Sequence, residues 1–127
     1  MADAALVSWV GRGPEAGFYV ANLEERVAGT VAYQRKGEGE LEVFRLSVDV
    51  GVRGMRVAGH LVDQVIRRAR ELGCGRVILE TSSHQEAAVR FYTRTGWTEE
   101  ARTFPSAGHF FHGFEVILFT MEVQKML

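Results

Sequence analysis

The chain predicts a mixed α/β fold: a central mixed sheet with the element order β-β-β-α-β-α-β-β. Three observations carry this expectation. Runs of β-branched and aromatic residues with a two-residue period fill the stretch before residue 49, separated only by short polar turns. Two later segments show apolar residues at helical spacing, each followed by a short apolar run. Two more strand-like runs close the chain. Alternating strands and helices of this kind build a sheet with helical crossovers.

Taken in order, residues 1–16 carry no clear pattern. Leu6-Val7-Ser8-Trp9-Val10 reads either as a short strand or as a tail docked by its tryptophan, and Gly11-Arg12-Gly13-Pro14 reads as a loop. Phe18–Ala21 is a strand, Leu23-Glu24-Glu25-Arg26 a polar turn, and Val27–Gln34 a second strand with Val27, Gly29, Val31 and Tyr33 on one face. The short connection predicts an antiparallel hairpin. Arg35-Lys36-Gly37-Glu38-Gly39-Glu40 is a charged turn before a third strand, Leu41–Val48.

A loop of small residues then opens a helix. Leu61, Val62, Val65, Ile66, Ala69 and Leu72 recur at helical spacing, and Gly73 ends the helix in the manner of a left-handed cap. Arg67, Arg68 and Arg70 fall near its negative end and on its solvated face. Arg76–Thr81 is a short apolar strand, expected to lie parallel to Leu41–Val48 through a right-handed crossover. Ser83 and Glu86 have capping-box spacing before a helix that holds Ala87, Ala88, Phe91 and Tyr92 and stops at Gly96. Trp97–Phe104 is a strand, Pro105–Gly113 a loop rich in aromatics and histidine, and Phe114–Val123 the last strand.

Composition bounds the function. The 127 residues suffice for one domain, 1–127, with a real core. A formal net charge of -1 argues against bulk electrostatic binding to nucleic acid or anionic membrane. Cys74 is the single cysteine, which excludes an internal disulfide and suits a reducing, cytoplasmic setting. No secretory leader or membrane segment is expected from the sequence. His60, His84, His109 and His112 have no partners at metal-ligand spacing, so no metal is expected. Strand, small-residue loop and helix start together present bare backbone N–H groups, the arrangement that suits a phosphate.

Two motifs then match a known family. Arg53-x-x-x-x-Ala58 resembles the coenzyme-A-binding motif of the GNAT superfamily of N-acetyltransferases, Gln/Arg-x-x-Gly-x-Gly/Ala. Phe91-Tyr92-Thr93-Arg94-Thr95-Gly96-Trp97 resembles their second signature, an aromatic or leucine, Tyr, three residues, Gly and an aromatic. The element order is also theirs. Phe44–Asp49, the Arg53-Gly54 pair and Val77–Thr81 are similar to the camello-like branch, and the likeness covers roughly residues 17–123.

The resemblance implies acetyl-CoA as cosubstrate, an amine of a small molecule or peptide as acceptor, and direct attack on the thioester. It assigns the backbone of Leu46, Ser47 and Val48 to the pantetheine arm. It assigns the backbone of Arg53, Gly54, Met55, Arg56, Val57, Ala58, Gly59 and His60 to the pyrophosphate, with Arg53 adding charge, and Gln85 to the cofactor. It makes Tyr92 the acid that protonates the leaving thiolate, Glu42 the base, and a backbone N–H near Val48 the oxyanion donor.

Two departures stand out. Arg56 occupies the position of the motif's first glycine. The family also has a strand and two helices ahead of the Phe18 strand, where this chain has only residues 1–17. A non-catalytic coenzyme-A-binding or interaction module lacking the acceptor half is therefore the alternative, and a homodimer is compatible with either.

Overall fold

A computed structural model describes residues 6–52, 56–104 and 113–123. Seven strands and two α-helices run in the order β1(Leu6–Gly13), β2(Ala16–Leu23), β3(Arg26–Gly37), β4(Glu40–Val48), a 3-10 turn Val50–Val52, α1(Val57–Glu71), β5(Arg76–Ser82), α2(Glu86–Arg94), β6(Thr98–Thr103) and β7(Val116–Glu122). This is the mixed α/β class expected, with one more strand at the start. The chain forms two compact units, one reaching Val77 and including Val123, the other Ile78–Glu122.

In the first unit β1, β2, β3 and β4 form an antiparallel meander. The extra strand is Leu6–Gly13, so the segment that left strand and tail open is a strand that also docks by its tryptophan. Trp9 Nε1 donates to the Tyr33 hydroxyl. Its indole lies over Gly11 and Gly17, where an added Cβ would come within 2.6 and 2.9 Å of the ring. Arg68 of α1 sits 5.2 Å from the same ring and donates Nε to the Tyr19 hydroxyl at 3.2 Å. The expected solvated role therefore fails for Arg68: a phenol and an indole hold its guanidinium against the sheet.

The β2–β3 turn is Glu24-Glu25, both at positive φ, which is the twist a two-residue hairpin requires. A register shift lies just beyond Ala21, where Ala21 pairs with Gly29 but Asn22 pairs with Val27. Ala28 is the additional residue and is buried, whereas Val27 is 55% exposed. The predicted face thus holds for Gly29, Val31 and Tyr33 but not for Val27, because a bulge breaks the two-residue period between them.

Helix α1 covers β2, β3 and β4. Its buried residues Val57, Leu61, Val62, Val65 and Ala69 meet a sheet face that includes Tyr19, Val31, Tyr33, Leu41 and Val43. Burying each large apolar side chain of such a core contributes roughly 1.5–3 kcal/mol. The helix ends in a Schellman motif: Gly73 at φ +74 donates to the Arg70 carbonyl and Cys74 to the Ala69 carbonyl.

In the second unit the strands lie in the order β5-β7-β6, with β6 and β7 antiparallel. Leu79, Tyr92, Trp97, Ile117 and Phe119 are its most buried large side chains. Helix α2 starts later than the capping box predicted. Its N-cap is Gln85 and no side chain caps it. Ser83 is engaged elsewhere: its Oγ accepts from the Glu115 N–H and its own N–H donates to the Glu115 carbonyl, each at 2.8 Å. That reciprocal pair ties the approach to α2 to the approach to β7 and takes the hydroxyl that would have capped the helix.

Candidate functional site

The first unit carries candidate residues on β4 and at the start of α1. Thr30 pairs with Ser47 and Ala32 with Phe44, so two residues of β4, Arg45 and Leu46, oppose Val31 alone. This is a β-bulge, and Arg45 accommodates it at φ +56. The bulge moves the alternation by one position. Leu41 and Val43 are buried before it; Leu46 and Val48 are the more covered residues after it, with Ser47 exposed between them. Bulges bend a strand and interrupt its ladder, which frees backbone groups close by.

Asp49 then turns the chain out of the strand. Its N–H donates to the Ala28 carbonyl at 2.8 Å, its carbonyl accepts from the Val52 N–H at 3.1 Å, and its Oδ1 accepts from the Gly51 N–H at 3.2 Å. Its other oxygen pairs with Arg26 at 2.7 Å. Arg53, Gly54 and Met55, assigned to the pyrophosphate by resemblance, lie outside the described residues.

Helix α1 begins at Val57 with Arg56 as N-cap, at φ 63 and ψ 18, the left-handed region. No side chain caps it and no acid lies in its first turn. Its first N–H groups have no intrahelical acceptor, and the positive end of its dipole carries no protein counter-charge from that turn. The first helical bond runs from the His60 N–H to the Arg56 carbonyl at 3.1 Å. The conformation gives a physical reason for the family's glycine at this position: a glycine occupies the left-handed region freely, whereas a residue with a Cβ is strained there by about 1–2 kcal/mol.

Gly29 links these two features, and sequence reading gave it no functional role. A Cβ on Gly29 would lie 2.8 Å from the Ser47 carbonyl and 3.1 Å from both Val57 Cγ1 and Leu61 Cδ1. Only the bare backbone lets the start of α1 rest on β3 beside the end of β4. The available signal was a glycine inside an otherwise strand-forming run.

Glu42 sits on β4 opposite Gln34, on the other side of the sheet from Leu41 and Val43. Gln34 Nε2 donates to its Oε1 at 3.0 Å and Lys36 Nζ to its Oε2 at 3.4 Å. Its side chain is 15% exposed. The carboxylate is held in place, with its acceptor capacity shared between two donors.

The second unit carries Gln85, the N-cap of α2, and Tyr92 within that helix. Thr81 Oγ1 donates to Gln85 Oε1 at 2.6 Å. Tyr92 is 5% exposed and is packed by Phe91, Trp97 and Phe119 at centroid distances of 5.3, 5.7 and 5.6 Å. Burial among these rings pushes its phenol up to about 12. The Tyr92 carbonyl accepts from the Trp97 N–H at 3.0 Å, and the Thr93 carbonyl from the Gly96 N–H at 3.5 Å. With Gly96 at φ +97, this is a second Schellman motif. The spacing Tyr-x-x-x-Gly-aromatic is thus also a helix stop, whose usual hydrophobic contact is the Tyr92–Trp97 ring pair.

Among the described residues no group of three or more His, Cys, Asp or Glu could hold a metal ion. Nor is any described helix long and apolar enough to cross a membrane.

A bulged strand, a turn and a helix start without a side-chain cap form an arrangement of the kind that suits a phosphate, and comparison with known proteins makes the class specific. Residues 2–97 match the acetyltransferase (GNAT) family. The chain belongs to that family. It is 38% identical over 95 residues to N-acetyltransferase 8B of Rattus norvegicus, covering 71% of this chain and 43% of the relative. The same comparison with N-acetyltransferase 8B of Homo sapiens gives 37% over 92 residues, covering 68% and 40%. The chain therefore spans about two fifths of the length of these curated relatives.

Solved structures show the same fold. A protein from Bacillus anthracis str. Ames, assigned as a streptothricin acetyltransferase and solved in complex with acetyl coenzyme A, superposes with a TM-score of 0.84 at 20% identity, covering 89% of this chain and 65% of its own. A protein from Klebsiella pneumoniae subsp. pneumoniae MGH 78578, assigned as an acyl-CoA N-acyltransferase, gives 0.79 at 18% identity and covers 96% of this chain and 99% of its own.

Proposed function

We propose that this chain transfers the acetyl group of acetyl-CoA to an amine by direct attack, without a covalent enzyme intermediate. The observation that carries the reading is the uncapped start of α1, entered through the left-handed Arg56 and seated on Gly29 beside the bulged end of β4. The N–H groups at the positive end of a helix dipole suit a pyrophosphate, and backbone groups beside a bulge suit an extended amide arm such as pantetheine. The name N-acetyltransferase 8B and the acetyl-CoA-bound fold relative support the same reading.

Residues keep separate jobs in it. Leu46, Ser47 and Val48 offer backbone to the pantetheine, and a backbone N–H near Val48 faces the developing oxyanion. Residues 53–60 hold the pyrophosphate through backbone N–H groups, with the guanidinium of Arg53 adding charge. Tyr92 supplies the proton that leaves with the thiolate. Its raised pKa keeps the phenol protonated throughout the physiological range. Glu42, oriented by Gln34 and Lys36, receives the proton of the incoming amine, directly or through water.

The acceptor is a small-molecule or peptide amine, and a cytoplasmic setting fits the single, buried Cys74. A homodimer belongs to the same reading, since among the described residues β1 pairs with β2 alone and offers an edge.

Titration calorimetry with acetyl-CoA, followed by thiol release with a panel of amines, tests the proposal. Binding with acetyl transfer supports it. Binding without transfer to any amine indicates the non-catalytic module, and no heat at millimolar ligand rejects the site altogether.

A further inference from the structure

We propose that Thr81 is a positioning residue that fixes which end of the Gln85 carboxamide is presented to acetyl-CoA. The inference rests on the reading of Gln85 as a cofactor contact and adds a residue to it.

Gln85 is held at three points. Its N–H donates to the Ser82 carbonyl at 2.9 Å, its carbonyl accepts from the Val89 N–H at 3.0 Å, and its Oε1 accepts from Thr81 Oγ1 at 2.6 Å. Thr81 is 9% exposed at the end of β5, whereas Gln85 is an exposed N-cap whose side chain makes no capping bond. A free carboxamide can turn over and show either its oxygen or its nitrogen. A hydroxyl can donate or accept, but 2.6 Å is the length of an O–H···O bond and shorter than an N–H···O bond, so the threonine proton is directed at Oε1. Fixing the oxygen inward leaves Nε2, a pure donor, as the outward end. Acyl-CoA offers carbonyl and phosphate oxygens, which are acceptors, so this orientation is the productive one. A buried threonine thus sets the polarity of an exposed glutamine through one hydrogen bond.

Calorimetry and kinetics on five proteins test this: the wild type, Thr81→Val, Thr81→Ser, Gln85→Ala and the double variant Thr81→Val/Gln85→Ala. Valine keeps the shape and removes the donor; serine keeps the donor. The expected result is a 2- to 10-fold rise in Kd and KM for acetyl-CoA in Thr81→Val, roughly the size of one hydrogen bond. kcat should be unchanged, Thr81→Ser should behave as wild type, and Thr81→Val should have no further effect once Gln85 is alanine. A Thr81→Val protein equal to wild type overturns the proposal. So does a loss of the same size in the Gln85→Ala background, which would mark a structural role.

The side-chain amide protons of Gln85, followed by NMR in the ligand-free protein, separate the two levels of the argument. If they respond to Thr81→Val while the wild type binds no acetyl-CoA, the contact stands and the cofactor reading falls, taking the positioning role with it. If they do not respond, the contact itself is rejected.

Discussion

Tyr92 and Trp97 meet edge to face, 5.7 Å between ring centroids, across the turn that ends α2. The Trp97 N–H donates to the Tyr92 carbonyl, so the ring pair and the helix stop are one device. The packing role of the Tyr92 ring is therefore separable from the chemical role proposed for its hydroxyl. Tyr92→Phe keeps the ring, and its thermal midpoint should stay within a few degrees of wild type. Acetyl transfer should fall about 100-fold or more while acetyl-CoA binding persists. Trp97→Ala should instead destabilise the protein by about 3–5 kcal/mol. Unchanged turnover in Tyr92→Phe removes the acid role.

The phenol also predicts a pH dependence of stability. Its folded-state pKa of about 12 stands above the ordinary 10.0, because ionisation among the rings is penalised. The stability linked to this group is complete below pH 10 and is lost as pH rises toward 12. A shift of this size corresponds to roughly 2–3 kcal/mol. Denaturant titrations of wild type and Tyr92→Phe from pH 8 to 11 should diverge above pH 10, with the wild type losing stability faster.

Arg56 offers a test of backbone against charge. Alanine at this position keeps the left-handed strain and removes the guanidinium; glycine removes both. Arg56→Gly should be more stable than Arg56→Ala by about 1 kcal/mol, seen as a rise of several degrees in midpoint. If the guanidinium supports the phosphates, both variants should bind acetyl-CoA more weakly than wild type and with less dependence on salt. Equal midpoints for the two variants would contradict the left-handed assignment.

Gly29→Ala places a methyl group 2.8 Å from the Ser47 carbonyl and 3.1 Å from Val57 and Leu61. Helix α1 must move off the sheet to admit it, which should destabilise the protein by about 1–3 kcal/mol. Because the displaced parts are β4 and the start of α1, acetyl-CoA affinity should fall as well. Normal affinity in the folded variant would show that the seating of α1 on β3 does not govern the cofactor.

Glu42→Gln keeps the shape of the side chain and removes its charge. If Glu42 is the base, kcat should drop about 100- to 10,000-fold. Stability should change by less than about 1 kcal/mol, because the ion pair with Lys36 is close to the surface. A wild-type rate in this variant would leave Glu42 as a partner of Lys36 and Gln34 only.

Periodicity and spacing by themselves determined the mixed α/β class, the meander before α1, the amphipathic face of α1 and the glycine stops at Gly73 and Gly96. The order of strand, small-residue loop and helix also marked the stretch around Arg56, and the resemblance to the family marked Tyr92. These are local properties, written in the two-residue and 3.6-residue repeats and in residues that tolerate positive φ. Only tertiary structure decided the rest. The β4 bulge carries no glycine to announce it, since Arg45 adopts the left-handed conformation instead. The Ser83 hydroxyl was legible as a cap but is bonded to Glu115, 32 positions away. Arg68 looked solvated until Trp9 and Tyr19 claimed it. Gly29 acquired its meaning only when Ser47, Val57 and Leu61 converged on it. Each of these depends on partners distant in the chain, and no local pattern encodes which distant group will take a hydrogen bond or fill a space.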